Sequence, residues 1–460
     1  MRRLFGTDGI RGKAGDFPLD PVTVRRIGRS LARHLRTGAG GRAPFILAGR
    51  DTRESGEWIE RALLQGAAEE GARSQSAGVI TTPGVAFLTR SRGADAGVVI
   101  SASHNPYEDN GIKIFEPSGR KLSDAVERLI ELDVVDAKKG GSESQPVPAT
   151  QRDTDSLSEE RAPKLRDEYR RYLLEEIAGD LSLNGLSLVI DCANGAASEI
   201  APPLFQALGA KVLTIHNSPD GKNINKDCGS LHLDGLRERV LQEQADLGVA
   251  FDGDADRALF VDSSGDFVDG DATLWILAKH LQANGGLNGD LVVATVMSNI
   301  GLEIALNAAG ISLLRTDVGD KYVLEELTRT GASIGGEQSG HIIFPAVSLA
   351  GDGIATTLCL LRAVGDSRRT VADLTKGFVR YPQILVNVKV VEKPSFADLP
   401  EVARLALETQ TRLGSKGRLL LRYSGTESLA RVMIEGESQS EIKSYAQALA
   451  LAIEDAIGAR

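Results

Sequence analysis

The feature that most constrains this chain is a supersecondary unit that recurs three times between residues 45 and 341. Each unit opens on a short apolar run: Phe45-Ile46-Leu47, Leu188-Val189-Ile190 and Leu291-Val292-Val293. A polar or glycine-containing loop comes next, then an amphipathic helical pattern that stops at Gly71, Gly209 or Gly310. Glycine in the left-handed conformation is the usual helix stop. A second strand pattern comes after each glycine, as in Lys211-Val212-Leu213-Thr214-Ile215. A third apolar run closes the unit: Val98-Val99-Ile100, Leu247-Gly248-Val249-Ala250 and Ala332-Ser333-Ile334. Strands alternating with helices predict α/β units with mainly parallel sheets, covered on both faces.

The loop after the third run differs from unit to unit. The first gives Ser101-Ala102-Ser103-His104-Asn105-Pro106 and the second Asp252-Gly253-Asp254-Ala255-Asp256-Arg257. The third gives Gly335-Gly336-Glu337-Gln338-Ser339-Gly340-His341. Open parallel sheets bind ligands at the carboxyl ends of their strands, so these loops are expected to converge on a central cleft. Residues 136–165 read as an exposed connector with a boundary near 153. From about 373 the pattern changes. A strand is predicted over 384–391, a helix over 396–412, and strands over 418–422 and 430–435 joined by a tight polar loop. A final helix starts near 440, with Ser438 and Glu441 spaced as a capping box. The expected division is therefore 1–153, 154–255, 256–372 and a smaller α+β domain, 373–460.

The acidic triplet Asp252, Asp254 and Asp256 must be neutralised by something. A hard divalent cation, Mg²⁺, suits closely spaced carboxylate oxygens. An EF-hand calcium loop fails, because Arg257 and Ser263 stand where its glycine and glutamate belong. A solvated acidic loop is the alternative, and the apolar residues 247–251 and 258–261 on both sides weigh against it. Ser103 directly follows a strand. Neighbouring side chains on a strand face opposite ways, so Ser103 and His104 do not read as a hydrolase dyad, and the G-x-S-x-G elbow is absent here. A capped turn closed by Pro106 is the competing reading. Glu337 through His341 offer donors and acceptors for sugar hydroxyls, or form a plain polar loop. Arg422, Ser424, Gly425, Thr426 and Arg431 have the hydroxyls, backbone N–H groups and guanidinium forks to cradle a phosphate. Gly6 to Gly12 form a glycine-rich turn bearing Arg11. The sequence contains no G-x-x-x-x-G-K-[ST] loop, which excludes a P-loop nucleotidase.

Bulk properties restrict partners. The net charge of −10 argues against non-specific nucleic-acid binding, and any phosphate site must concentrate positive charge locally. A secretory signal and bilayer-length apolar runs are missing, so a cytoplasmic chain without a membrane partner is expected. Cys192, Cys228 and Cys359 are few, odd in number and not at metal-ligand spacing, and read as three reduced thiols.

Taken in order, these loops resemble the α-D-phosphohexomutase family over essentially the whole chain, from Gly6 to Gly436. Phe5–Gly12, Gly49–Arg53, Ser101–Phe115, Asn223–Ser230 and Gly336–His341 look like its bacterial glucosamine branch. The resemblance implies four domains around a cleft, three of them related, with the fourth hinged to close over it. It implies an isomerase of amino sugar metabolism that interconverts glucosamine 6-phosphate and glucosamine 1-phosphate through a 1,6-bisphosphate. By motif position Ser103 is the phosphoserine, and its oxygen joins Asp252, Asp254 and Asp256 around one Mg²⁺. Lys113 and His104, with Arg11 nearby, assist proton transfer or charge stabilisation. Arg257 adds positive charge at the reacting phosphate, Glu337 and Ser339 hold sugar hydroxyls, and the 422–431 loop grips the other phosphate. The partner is a hexose phosphate, and a homodimer is compatible with the sequence. Glucose or mannose phosphates, a non-catalytic sugar-phosphate sensor and a phosphatase are the alternatives. Three positions depart from the family pattern: Ala255 where glycine is usual, Tyr423 for a common lysine and Ser428 for a common proline. The Ala255 methyl should matter little unless that backbone has positive φ.

Overall fold

The computed structural model describes residues 4–6, 8–38, 41–138, 161–424 and 427–459. Most of the expected connector, and the boundary near 153, lie outside the described residues. The chain forms two compact units, Met1–Val296 with Leu314–Thr375 and Met297–Leu313 with Lys376–Arg460.

In the larger unit the first sheet contains β1 (Phe5–Gly6), β2 (Gly9–Lys13), β3 (Phe45–Arg50), β4 (Arg73–Val79), β5 (Ala96–Ile100) and β6 (Asp109–Phe115), in the order β1-β2-β6-β5-β3-β4. The second contains β7 (Ser187–Asp191), β8 (Lys211–Ile215), β9 (Leu247–Phe251), β10 (Ala258–Asp262) and β11 (Phe267–Val268), in the order β11-β10-β9-β7-β8. The third is built on β12 (Leu291–Thr295), β14 (Ile334–Gly336) and β15 (Ile342–Ile343), with β13 (Ser312–Thr316) at its edge.

The centres of the sheets are parallel: β3 pairs with β4 and β5, β7 with β8 and β9, and β12 with β14. The third run of each unit then pairs antiparallel with the next strand along the chain, β5 with β6, β9 with β10 and β14 with β15. The three chemistry-bearing loops are therefore hairpin connections, too short for the dozen or more residues that a parallel crossover needs. The division expected after Ala255 falls inside the β9–β10 hairpin, and strand pairing carries the second sheet on to Val268. The helix stops behave as read: Gly71, Gly209 and Gly310 have φ of +74°, +97° and +75°.

Burial explains the helical layers. Helices Pro21–Gly38 and Gly56–Glu69 cover one face of the first sheet through Val24, Ile27, Leu31, Ile59 and Leu63, all fully buried. Each such side chain contributes roughly 1.5–3 kcal/mol. The two helices cross at glycines. A Cβ on Gly28 would lie 1.9 Å from the Leu63 carbonyl oxygen, and one on Gly66 would lie 1.9 Å from that of Arg25.

The smaller unit holds the antiparallel sheet β16 (Gln383–Lys389), β18 (Leu429–Glu435) and β17 (Arg418–Tyr423), in that order, with helices Pro400–Leu413 and Gln439–Ile457. Val388, Val402, Val432, Ile434, Ile442 and Leu449 form its core. Ser438 accepts the Glu441 N–H at 3.4 Å, one half of the expected capping box. Buried Glu435 pairs with Arg418 at 2.8 Å and accepts the N–H of Ile300 at the start of helix Ile300–Ala308. Among the described residues, no helix is long and apolar enough to cross a membrane.

Candidate active site

Ser103 lies in the β5–β6 hairpin loop, 1% exposed, with φ +54°. A left-handed residue other than glycine costs roughly 1–2 kcal/mol, so something must hold it. Arg53, whose side chain is fully buried and pairs with Asp51, donates to the Ser103 carbonyl at 3.2 Å and the Asn105 carbonyl at 2.5 Å. Asn225 donates to the same two carbonyls at 2.8 and 3.1 Å. Charge-assisted hydrogen bonds of about 1.5–3 kcal/mol each are enough to offset the strain. The turn also corrects one expectation. Ser103 is outside the strand, so strand alternation does not apply, and its Oγ lies 3.3 Å from His104 Nδ1.

That nitrogen is already an acceptor. Arg257 Nη1, which can only donate, sits 3.0 Å from it. The Ser103 hydroxyl accordingly donates to Asp252 Oδ2 at 2.5 Å. Burial, then the charges of Arg257 and Arg11, push the His104 imidazole down to about 4, so it is neutral near neutral pH.

Asp252, Asp254 and Asp256 are buried in the β9–β10 loop, each with a carboxylate oxygen within 4.8 Å of the others. Asp254 Oδ2 accepts from Lys113 at 2.9 Å and from Thr82 at 2.5 Å, and Asp256 Oδ2 accepts from Lys113 at 3.1 Å. Asp254 Oδ1 and Asp256 Oδ1 are buried without a hydrogen-bond partner among the described residues. Buried carboxylate oxygens left open beside one another fit a hard divalent cation, so these residues can hold a metal. Burial raises the Asp252 carboxyl well above its usual range, and the charges of Asp256 and Asp254 raise it further. Asp256 is held well below that range, because Lys113, His341 and Arg257 outweigh its burial. Ala255, between them, has φ +55°, the condition under which its methyl matters.

Lys113, on β6, is 1% exposed. Burial alone would discharge it, yet Asp254, Asp256 and Asp8 (3.3 Å) hold its ammonium well above the usual range. Arg11, on β2, pairs with Asp8 and reaches Asn105 Oδ1 at 3.5 Å. Asp8 also accepts from Lys121 at 2.5 Å, and Lys121 reaches Asp320 at 2.6 Å.

The β14–β15 hairpin carries Glu337 and Ser339. Glu337 Oε1 accepts the Gly319 N–H at 3.1 Å, while Ser339 Oγ is shielded and has no hydrogen-bond partner among the described residues. The loop rests on β10, where Ala258 donates to the Gly340 carbonyl at 3.2 Å. Gly340 has φ +88°, and a Cβ there would lie 2.3 Å from the Ala258 oxygen. His341 accepts the Gly351 N–H at 3.1 Å and places Nδ1 3.6 Å from Asp256 Oδ1.

In the smaller unit Arg422 and Arg431 are register partners on β17 and β18. Like charges directly opposite on one face repel, which favours an anion beside them. Arg431 reaches Glu427 at 3.1 Å, and Ser424 Oγ accepts the Glu427 N–H at 3.2 Å. Gly425 and Thr426 lie outside the described residues. Tyr423 stacks on Phe396, ring centroids 4.3 Å apart.

Four family models of phosphoglucomutase/phosphomannomutase match in succession: alpha/beta/alpha domain I over residues 2–139, domain II over 167–265, domain III over 269–381 and the C-terminal domain over 385–452. The chain belongs to the phosphoglucomutase/phosphomannomutase family. It is 49% identical over 455 residues to phosphoglucosamine mutase of Solibacter usitatus, covering 99% of each chain. A phosphoglucomutase/phosphomannomutase family protein of Burkholderia thailandensis shares the fold at TM-score 0.77 and 24% identity, over 98% of this chain and 97% of that one. The N-acetylphosphoglucosamine mutase of Aspergillus fumigatus, solved with GlcNAc-6P and magnesium, shares it at TM-score 0.63 and 18% identity, over 98% and 95%.

Within this phosphohexomutase fold, contacts join Ser103, His104, Lys113, Asp252, Asp254, Asp256 and Arg257 into one network; Arg11 enters it through Asp8, and Glu337, whose N–H bonds the His341 carbonyl, through His341, with Ser339 on the same hairpin. Sequence reasoning assigned no role to Asp8, Arg53, Asn225, Lys121 or Thr82. Asp8, Arg53 and Asn225 stand inside the motifs that carry the family resemblance. Thr82 stands in none, and reaches Asp254 only because its helix begins there.

Proposed function

We propose that this phosphohexose mutase interconverts glucosamine 6-phosphate and glucosamine 1-phosphate, with Ser103 phosphorylated in the resting enzyme. The observation that carries the reading is the buried Ser103 hydroxyl, 2.5 Å from Asp252 and backed by Lys113 among three aspartates. Full-length similarity to phosphoglucosamine mutases supports the amino sugar.

The serine Oγ–P bond breaks as a bond forms from phosphorus to sugar O1, giving the 1,6-bisphosphate. The sugar O1 hydroxyl loses its proton as its bond to phosphorus forms, and the departing Ser103 Oγ gains one, ending as the hydroxyl that donates to Asp252; His104 and Lys113 assist this exchange or stabilise its charge. The sugar then presents its 6-phosphate, and the reverse transfer restores the phosphoserine. Such a transfer needs in-line positioning and neutralised charge more than covalent help. Arg257, Lys113 and Arg11 supply fixed positive charge, and Asp8, Asp254 and Asp256 keep Lys113 in place. Asp252, Asp254 and Asp256, with the Ser103 phosphoryl group, would hold a Mg²⁺, which would neutralise further negative charge on the phosphoryl oxygens. Glu337 and the open hydroxyl of Ser339 take sugar hydroxyls. Arg422, Ser424, Gly425, Thr426 and Arg431 hold the phosphate that is not reacting.

These roles fall on four domains, for phosphoserine, metal, sugar and phosphate, with the second ending near Val268. The acidic balance and three free cysteines support cytoplasmic work without a nucleic-acid or membrane partner. Parallel assays with glucosamine, glucose and mannose 6-phosphates, products identified by NMR, test the substrate. Glucosamine 6-phosphate should give the highest kcat/KM, with residual turnover of glucose 6-phosphate. Preference for glucose or mannose phosphate would remove the amino sugar from the reading and leave the mutase chemistry.

A further inference from the structure

The second sheet carries another cluster of metal-ligand types, which the mutase chemistry does not use. Asp191 ends β7, His216 follows β8, and Cys228 closes the loop that leads to the turn Gly229–Leu231. A carboxylate oxygen, a ring nitrogen and the thiol sulfur of these residues lie within 4.8 Å of one another. Asp191 and Cys228 are buried, while the His216 side chain is 36% exposed. His216 Nδ1 is shielded and lies 3.0 Å from Asp191 Oδ2, and its interaction with that carboxylate raises the imidazole above its ordinary range.

The groups around the cluster are those that orient metal ligands. Asp191 Oδ1 accepts the Ala193 N–H at 2.8 Å, and Oδ2 accepts that of Gly229 at 2.9 Å. Asn194 Nδ2 approaches Cys228 Sγ at 4.0 Å. Three residues of this neighbourhood, Ala193, Asn194 and His216, are held at φ of +53°, +48° and +48°.

We propose that Asp191, His216 and Cys228 form a zinc site, distinct from the oxygen-only Asp252 cluster, with its fourth position open on the exposed side of His216. Zinc takes sulfur, nitrogen and oxygen ligands, and thiolate with imidazole selects it over magnesium. Tetrahedral zinc bond lengths place such donors roughly 3.3–3.6 Å apart, so closing the cluster needs only small movements. Cysteine spacing in the sequence gave no hint, because the three ligands come from separate loops that the strand order β9-β7-β8 brings together.

The metal would act as a brace behind the active site. Asn225, three residues before Cys228, donates to the Ser103 carbonyl, and its own N–H goes to Ala193 at 2.9 Å. Ala196 donates to the Gly253 carbonyl at 2.9 Å. Fixing Asp191 to Cys228 thus pins the segments on which the serine and aspartate loops rest.

The test uses the full-length protein, stripped with chelator and titrated with Co²⁺ under excess Mg²⁺. One equivalent of Co²⁺ should produce a thiolate-to-cobalt charge-transfer band in the near ultraviolet. Cys228→Ser should abolish the band, and His216→Ala should weaken Co²⁺ binding at least about tenfold. Asp252→Asn should leave the band intact. Lack of the band in the unaltered protein, or its survival in folded Cys228→Ser, overturns the site. Should Cys228→Ser not fold, unchanged Co²⁺ affinity in His216→Ala does so. The readout is spectroscopic and stands apart from any assay of mutase activity.

Discussion

Lys113 and Arg422 both lie on strands, and the proposed function gives both a phosphate to neutralise, but their surroundings differ in kind. Lys113 is 1% exposed and locked onto Asp8, Asp254 and Asp256. Arg422 is only partly buried and stands across the sheet from a second arginine. In the first region the lysine is tied to three carboxylates before any ligand arrives, so its position is fixed, while carboxylate oxygens beside it are left open for a further cation. In the second, two arginines are register partners, one of them paired with Glu427 at the loop, and a phosphate would add a further anion beside them. The first arrangement suits a reacting group that must not move; the second suits a phosphate that must be gripped and let go.

The largest expected effect removes the reacting atom. Ser103→Ala should cost at least about a thousandfold in kcat, while the melting temperature falls by no more than roughly a few degrees, the cost of one hydrogen bond to Asp252. Phosphate analysis by mass spectrometry should find the parent partly modified at Ser103 and the variant unmodified. Wild-type turnover by Ser103→Ala would take the serine out of the mechanism.

Lys113→Met tests the first region. It leaves buried Asp254 and Asp256, and half-buried Asp8, without their shared cation, and breaking a buried ion pair costs about 3–5 kcal/mol. A cation bound at the aspartates should restore part of this loss. Mg²⁺ should therefore raise the melting temperature more in the variant than in the parent. An equal Mg²⁺ response in both proteins would show that Lys113 and the metal do not share these carboxylates.

Arg422→Ala sharpens the other side. One charged hydrogen-bond partner is worth about 1.5–3 kcal/mol, so KM for the monophosphate should rise roughly ten- to a hundredfold. Stability should change by less than about 1 kcal/mol, since a cation on a partly solvated face contributes little and Arg431 loses a like-charged neighbour. If Arg422→Ala unfolded the domain as readily as Lys113→Met unfolds its own, the contrast between the regions would fail.

How much of the molecule was legible in its sequence follows the same divide between local and distant chemistry. The apolar runs, the helix-ending glycines and the α+β tail are written in short stretches, and the strands and helices form there. The aspartate triplet could also be read locally, because three adjacent carboxylates require a partner. The return of each loop as a hairpin was not, since the sequence does not say which strand the next one will pair with. Nor was the contact of Ser103 with His104, which depends on a left-handed turn held by Arg53, fifty residues earlier, and Asn225, far downstream. Thr82 is further still from any signal: its hydroxyl meets Asp254 across 172 residues of chain.

The smallest effect lies at Ala255, where a local reading and the backbone meet. The residue is fully buried at φ +55°, its N–H bonded to the Asp252 carbonyl and its own carbonyl accepting from Gly353, both at 3.0 Å. Ala255→Gly would relieve left-handed strain of roughly 1–2 kcal/mol. It would also release unfolded-chain entropy worth about 0.4–1 kcal/mol and give up a buried methyl worth about 0.8 kcal/mol. These terms nearly cancel, so denaturant unfolding should show a change within about 1 kcal/mol. Mg²⁺ affinity should move less than about threefold, because the carboxylates on either side are held by Ser103, Thr82 and Lys113 rather than by the methyl. Ala255→Val puts a branched side chain in the same left-handed turn and should destabilise by more than about 2 kcal/mol. A tenfold loss of Mg²⁺ affinity in Ala255→Gly would mean that the methyl itself sets the spacing of Asp254 and Asp256, and that the aspartate loop is less rigid than its ion pairs make it.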